Sequence, residues 1–198
     1  MNETSTLPKA APQTLALSNL FRKFGFWLFL SSELLIFCGL IGAFLVTKSY
    51  AKSWPLAQDL SLWLVSLNTF LLLTSSLTVV LAIDAARANK LSRVPVLILI
   101  SALLGVGFLA GQAVEYTHLI TVEHHGFADP FGTAFFILTG LHGLHVLVGV
   151  LWAFGVSARA RARAYGPGNF TSIEVFGLYW HFVDLVWILI FTVVYLIS

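Results

Sequence analysis

The sequence predicts an all-α, polytopic membrane protein, a bundle of five transmembrane helices with the amino terminus inside and the carboxyl terminus outside. Three observations predict it. First, 58% of the 198 residues are hydrophobic and only 10% are charged, whereas a soluble domain runs at roughly 45 to 50% apolar and about 25% charged. The mean hydropathy of +0.89 excludes a water-solvated fold of this size. Second, five apolar runs each reach the ~20 residues that a helix needs to cross ~30 Å of hydrocarbon. Period-two alternation is absent, so helices are the structure that satisfies the backbone in lipid. Third, Lys and Arg sort between the two sides: nine fall on the amino-terminal side and only Lys48 and Lys52 on the other.

The segment 1–14 is polar, with Pro8 and Pro12, and reads as a disordered tail; Leu15 to Lys23 reads as a short interfacial lead-in. The spans are expected at about 24–46, 60–83, 94–116, 132–156 and 173–197. The basic residues Lys9, Arg22, Lys23, Arg87, Lys90, Arg93, Arg159, Arg161 and Arg163 lie before span one, between spans two and three, and between spans four and five. The positive-inside rule places all these segments in the cytoplasm. Trp27, Trp54, Trp63, Tyr116 and Tyr165 fall near the predicted interfaces, as an aromatic belt requires. Arg159, Arg161 and Arg163 are candidate ligands for a lipid headgroup; the plainer reading is an orientation signal against the inner leaflet. The formal charge of +2 gives no reason to expect nucleic acid, and the lone Cys38 gives no intrachain disulfide.

An ionisable side chain near the bilayer centre costs at least roughly 2.5 kcal/mol on insertion scales, so it should face a partner or a cavity. Glu33 lies near the middle of span one, His142 and His145 straddle the middle of span four, and His181 and Asp184 sit near the middle of span five. Gln112 and Glu115 lie toward the outer end of span three, and Glu174 at the inner start of span five. Each pair spaced i,i+3, His142 with His145 and His181 with Asp184, shares a helix face. Such pairs suit a metal or haem site, and equally suit hydrogen-bonded glue between helices. Glu33 is either a proton carrier or a neutral acid donating a hydrogen bond; desolvation favours the neutral acid. Gly107 with Gly111, and Gly39 with Gly42, read as close helix-packing positions. The outer loop 117–131 gathers His118, Glu123, His124, His125 and Asp129 without Lys or Arg, and reads as a solvated acidic loop. Neither an internal repeat nor matched Gly/Pro breaks mark a transporter.

The strings FFILTGLHGLHVLVG at 135–149 and LYWHFVDLVW at 178–187 resemble the signature of subunit III of haem-copper terminal oxidases, the cytochrome c oxidase and quinol oxidase complexes. FWLFLSSELLIF around Glu33, LNTFLLLTSS at 67–76 and QAVEY at 112–116 resemble further blocks of that family, in the same order. The likeness spans 24–197 and is nearest the short five-span bacterial form, without the first two spans of longer members. It implies a non-catalytic chain with no metal or haem of its own, because haem and copper reside in partner subunits I and II. His142, His145 and His181 are then packing residues rather than ligands. Glu33 matches the family's carbodiimide-reactive buried acid. The resemblance further implies structural phospholipid in a cleft, packing on subunit I, support of proton uptake and complex durability, and a place in the bacterial inner membrane. Its electron donor reads as cytochrome c, with quinol as the alternative, and a related accessory protein of nitric oxide reductase shares the fold type. A haem-carrying electron-transfer subunit and an independent transporter are remoter alternatives.

The charge split predicts that an amino-terminal tag on sealed right-side-out vesicles is shielded from protease while a carboxyl-terminal tag is cleaved. Two tags reporting the same side would mean a miscounted span.

Overall fold

The computed structural model describes residues 12–51, 54, 62–166 and 170–197. They form five long helices: α1 Pro12–Tyr50, α2 Leu62–Arg87, α3 Val94–Thr121, α4 Pro130–Arg161 and α5 Thr171–Phe191, the last continuing into a five-residue π turn, Thr192–Leu196. All five are long and apolar enough to cross a membrane. The predicted tail 1–14 lies outside the described residues as far as residue 11; from Pro12 the chain is helical. The predicted lead-in and first span are one continuous helix of 39 residues. Pro12 fits a first turn because its missing N–H needs no partner there. Arg22 and Lys23 extend their charged heads from apolar stems without breaking the helix.

Neighbours along the chain pack antiparallel from α2 through α5; α5 closes back on α2, and α1 lies against α4 and α5. In lipid the hydrophobic effect does not drive helices together, so close packing and interhelical hydrogen bonds must. One side chain shows how. Trp180 of α5 is fully buried, and its indole Nε1 donates to Ser75 Oγ of α2 at 2.8 Å. Ser75 in turn donates to the Leu72 carbonyl at 2.6 Å. The same ring lies against two glycines. A Cβ at Gly105 of α3 would stand 2.9 Å from it, and one at Gly149 of α4 2.7 Å. Four helices therefore meet on one indole. Ser157 adds a bond from α4 to the Pro95 carbonyl of α3 at 2.8 Å.

The helix ends are tied separately. At the arginine-bearing end Glu174 pairs with Lys23 of α1 and Arg87 of α2. At the other end Lys48 Nζ donates to the Ile197 carbonyl at 3.1 Å. Asp129 caps α4 by accepting from the Gly132 amide and pairs with His125 Nδ1 at 2.8 Å.

Two packing expectations are corrected. Gly111 does admit a close neighbour, the Asn68 side chain, but a Cβ on Gly39 or Gly42 would meet nothing within 4 Å among the described residues. The small pair on α1 faces outward because α1 turns its other side to α4 and α5. The aromatic belt is also thinner than predicted. Trp27 and Trp63 are exposed and fit it, but Tyr165 is buried, and Trp54 packs edge-on against Phe44 and Phe131.

Gly149→Ala should push Trp180 out of its slot and cost about 1 to 3 kcal/mol, the usual range for overpacking. Thermal unfolding followed by tryptophan fluorescence checks this. Gly155→Ala, whose Cβ has nothing within 4 Å, should leave the midpoint unchanged.

Candidate functional site

The polar side chains predicted at membrane depth fall into three clusters, each joining different helices. The first joins α1, α4 and α5. Glu33 Oε2 lies 3.3 Å from His145 Nε2, and the other ring nitrogen, Nδ1, lies 2.8 Å from the Leu141 carbonyl. A carbonyl only accepts, so Nδ1 carries a hydrogen. Two proton arrangements then remain: a protonated Glu33 donating to neutral His145, or a doubly protonated His145 donating to a Glu33 carboxylate. Both share one proton between the two groups, and both leave the pair with no net charge. Tyr179 of α5 donates to the His145 carbonyl at 2.9 Å. His145, Tyr179, Trp152 and Phe26 line an apolar depression of about 320 Å³ between these helices.

The second cluster joins α2 and α5. His181 Nδ1 and Ser76 Oγ are 2.7 Å apart; Asp184, one turn further along α5, is buried, and neither of its carboxyl oxygens has a hydrogen-bond partner among the described residues. Nearby, Trp187 Nε1 donates to Thr69 Oγ1 at 2.9 Å. The third joins α3, α4 and the π turn. Gln112 Nε2 donates to the Thr139 carbonyl at 2.8 Å and to the Tyr116 hydroxyl at 3.0 Å; Tyr116 and Thr139 share a hydrogen bond of 2.8 Å. Glu115 is buried beside the Tyr195 hydroxyl. A π turn shifts the register of the helix end, and Tyr195 belongs to it.

His142 departs from the expectation of hydrogen-bonded glue. It is 0% exposed, and neither ring nitrogen has a hydrogen-bond partner among the described residues. Its ring stacks on Trp187 at 5.0 Å and meets Phe108 and Phe37 edge-on. It acts as a flat packing group. Glu174 is likewise no member of a midplane network, because its partners are the basic residues of the helix ends.

These positions test the fit of a metal or haem to this chain. The three imidazoles go to three different surroundings: aromatic rings for His142, Glu33 for His145 and Ser76 for His181. Among the described residues no three His, Cys, Asp or Glu side chains are placed to share an ion. In the outer loop only His125 and Asp129 are paired. The arrangement can organise helices and hold a proton between Glu33 and His145, but it does not converge on an open coordination position.

Comparison with known proteins places the chain. The family model described as cytochrome c oxidase subunit III matches residues 11–198. The chain belongs to the cytochrome c oxidase subunit III family. Cytochrome c oxidase subunit 3 of Alkalihalophilus pseudofirmus is 38% identical over 99% of this chain and 96% of its own length. The protein of the same name from Bacillus sp. strain PS3 is 37% identical over 98% and 94%. Quinol oxidase subunit 3 of Bacillus subtilis is 38% identical over 88% of this chain and 86% of its own. The resemblance read from the two histidine-bearing strings is thereby shown, and this subunit III is a multi-pass membrane protein of an oxidase family.

Sequence reasoning named the acids and histidines of the site but not their partners. Ser76, Tyr179, Thr139 and Tyr195 were missed; Ser76 stands inside the LNTFLLLTSS block, where its place on the α5-facing side was the available signal. Replacing His142 by Ala should leave metal content unchanged and cost on the order of 2 to 4 kcal/mol for the vacated ring volume. His142→Phe should recover most of it. Metal analysis and thermal unfolding of the purified protein check both; loss of a stoichiometric metal would reinstate the ligand reading.

Proposed function

We propose that the chain is the non-catalytic third subunit of a proton-pumping haem-copper terminal oxidase that reduces oxygen to water in the bacterial cytoplasmic membrane. In this reading haem and copper reside in subunits I and II, and the chain packs on subunit I, holds structural phospholipid and supports proton uptake and the durability of the complex. The amino terminus lies in the cytoplasm. The match of the family model across residues 11–198 carries the reading. It is supported by the dispersal of the imidazoles into separate clusters. Cytochrome c is the donor named by the relatives matched over nearly the whole chain. Quinol is the second reading, favoured by the Bacillus subtilis relative at the same 38% identity.

Glu33 is the acid of the site. We assign it the protonated form at neutral pH, hydrogen-bonded to neutral His145, because two neutral groups lose less hydration in lipid than an ion pair does. A Gln at this position keeps a donor for the His145 ring, so Glu33→Gln should assemble normally.

Two measurements test the proposal. Stripping the chain from the purified complex should leave the haem spectrum and initial oxygen reduction in place while proton uptake slows or turnover inactivation quickens; loss of haem would overturn the non-catalytic assignment. An infrared difference spectrum of wild type against Glu33→Gln at pH 7 should show the band of a protonated carboxyl. A carboxylate band in its place would mean that the proton resides on His145.

A further inference from the structure

The depression beside Glu33 and His145 lies on one flank of α1. On another flank a groove of about 250 Å³ runs between α1 and α5. Two ridges form its walls: Trp27, Ser31 and Leu34 on α1, and Leu178, His181 and Leu185 on α5. Each set is spaced at three and four residues, so each lies along one face of its helix.

The hydrogen-bonding groups of the groove at membrane depth are Ser31 and His181. Ser31 donates to the Trp27 carbonyl of its own helix at 2.9 Å. Ser32, Thr47, Thr74 and Thr192 likewise donate to carbonyls of their own helices, so none of them requires a neighbour. His181 differs. Its Nδ1 shares a hydrogen bond with Ser76 Oγ of α2 at 2.7 Å, and its Nε2 has no partner among the described residues. Nε2 is not one of the enclosed polar atoms of the bundle, and the ring lines the groove. Either tautomer leaves this nitrogen with an open hydrogen bond, as donor when Nδ1 accepts and as acceptor when Nδ1 donates. His181 stands about 4 Å along the axis from the middle of the span Thr171–Leu196, at 1.5 Å per residue. Headgroups and water lie far from that depth, and acyl chains form no hydrogen bonds. Its partner must therefore come from another protein segment.

The coverage of α1 points the same way. Within the chain only 17% of its apolar stretch is buried, against 50% for α4 and for α5. The groove is also smaller than the roughly 300 to 1,000 Å³ of small-molecule sites. Two ridges side by side with a furrow between them are the surface into which the ridge of a third helix packs.

We propose that this groove seats a transmembrane helix of another subunit, whose side chains fill the furrow and which presents a hydroxyl or carboxamide to His181 Nε2. Such a group both donates and accepts, so it serves either tautomer. Close packing with an interhelical hydrogen bond is what joins helices in lipid. The inference rests on the reading of the chain as one subunit of an oxidase complex and names the face by which it joins that complex.

Photocrosslinking in the purified complex tests the face. A benzophenone side chain at Leu34 or Leu185 should join the chain to another subunit, with the attachment in a membrane-spanning peptide by mass spectrometry. The same probe at Leu103, an exposed residue of α3, gives the comparison. Adducts to lipid alone from both groove positions, or to other subunits from Leu103 only, would overturn the groove as a subunit contact. A detergent challenge tests the hydrogen bond. His181→Leu should raise the dissociation constant of the chain from the complex by about three- to twentyfold, the range of interhelical hydrogen bonds in membranes. Ser76→Ala removes the internal partner of the same ring but keeps Nε2, and should hold the chain as wild type does. Equal loosening by both variants, or none by His181→Leu, would overturn the Nε2 contact. The crosslinks decide the face even if His181→Leu fails to assemble. A chain that purifies without any partner would overturn the oxidase reading as well, whereas an intact complex without crosslinks from the groove would overturn this inference alone.

Discussion

Hydrocarbon offers no hydrogen bonds, and the rest of this structure depends on that constraint. A polar side chain at membrane depth is therefore cheapest where another helix meets it. α5 bears most of this demand: Tyr179, Trp180, His181 and Trp187 all bond out of it, to α4 at the first and to α2 at the others. Consecutive residues 179 to 181 point around the helix, so these bonds fix its rotation as well as its height. Apolar packing alone would tolerate a slip, because one aliphatic surface in lipid resembles another. The glycines at 105 and 149 complete the arrangement by letting α3 and α4 come close enough to enclose the Trp180 ring.

The fold was legible in the sequence because it is a consequence of length and hydropathy. Five runs of sufficient length can only be helices, and the observed helices overlap the predicted spans throughout. What extended past the spans was not legible: α1 carries its helix back to Pro12 and α4 runs on to Arg161, because helical propensity does not stop where the hydrocarbon does. Helix rotation was also hidden. His142 and His145 share a face by spacing, yet they stand about 60° apart around α4, enough for one to lie on Trp187 and the other to reach Glu33. Spacing rules describe one helix; what a side chain meets is decided by the helix opposite. For the same reason Gly39 and Gly42 resembled packing positions and proved to face outward.

The division of polar groups into separate clusters bears on function. A redox centre needs several ligands converging on one open position, and among the described residues no three His, Cys, Asp or Glu side chains converge in that way. The arrangement is one of helix-to-helix packing and hydrogen bonding, with one hydrogen-bonded acid and imidazole at Glu33 and His145. The ionic contacts, by contrast, lie at the helix ends, where Glu174 gathers cations from α1 and α2. The paired Lys and Arg charges are kept at the helix ends, which is the cheaper place for them in a bilayer.

The shared proton of Glu33 and His145 has a consequence for a membrane that carries a voltage. A full elementary charge crossing such a membrane exchanges about 2.3 kcal/mol per 100 mV with the field. A proton passing between two atoms 3.3 Å apart covers at most about a tenth of the ~30 Å of hydrocarbon, so the field contributes only about 0.2 kcal/mol per 100 mV to its position. The pair is therefore nearly blind to membrane potential. Energisation of the membrane leaves its protonation pattern, and the helix contacts built on it, as they are at rest.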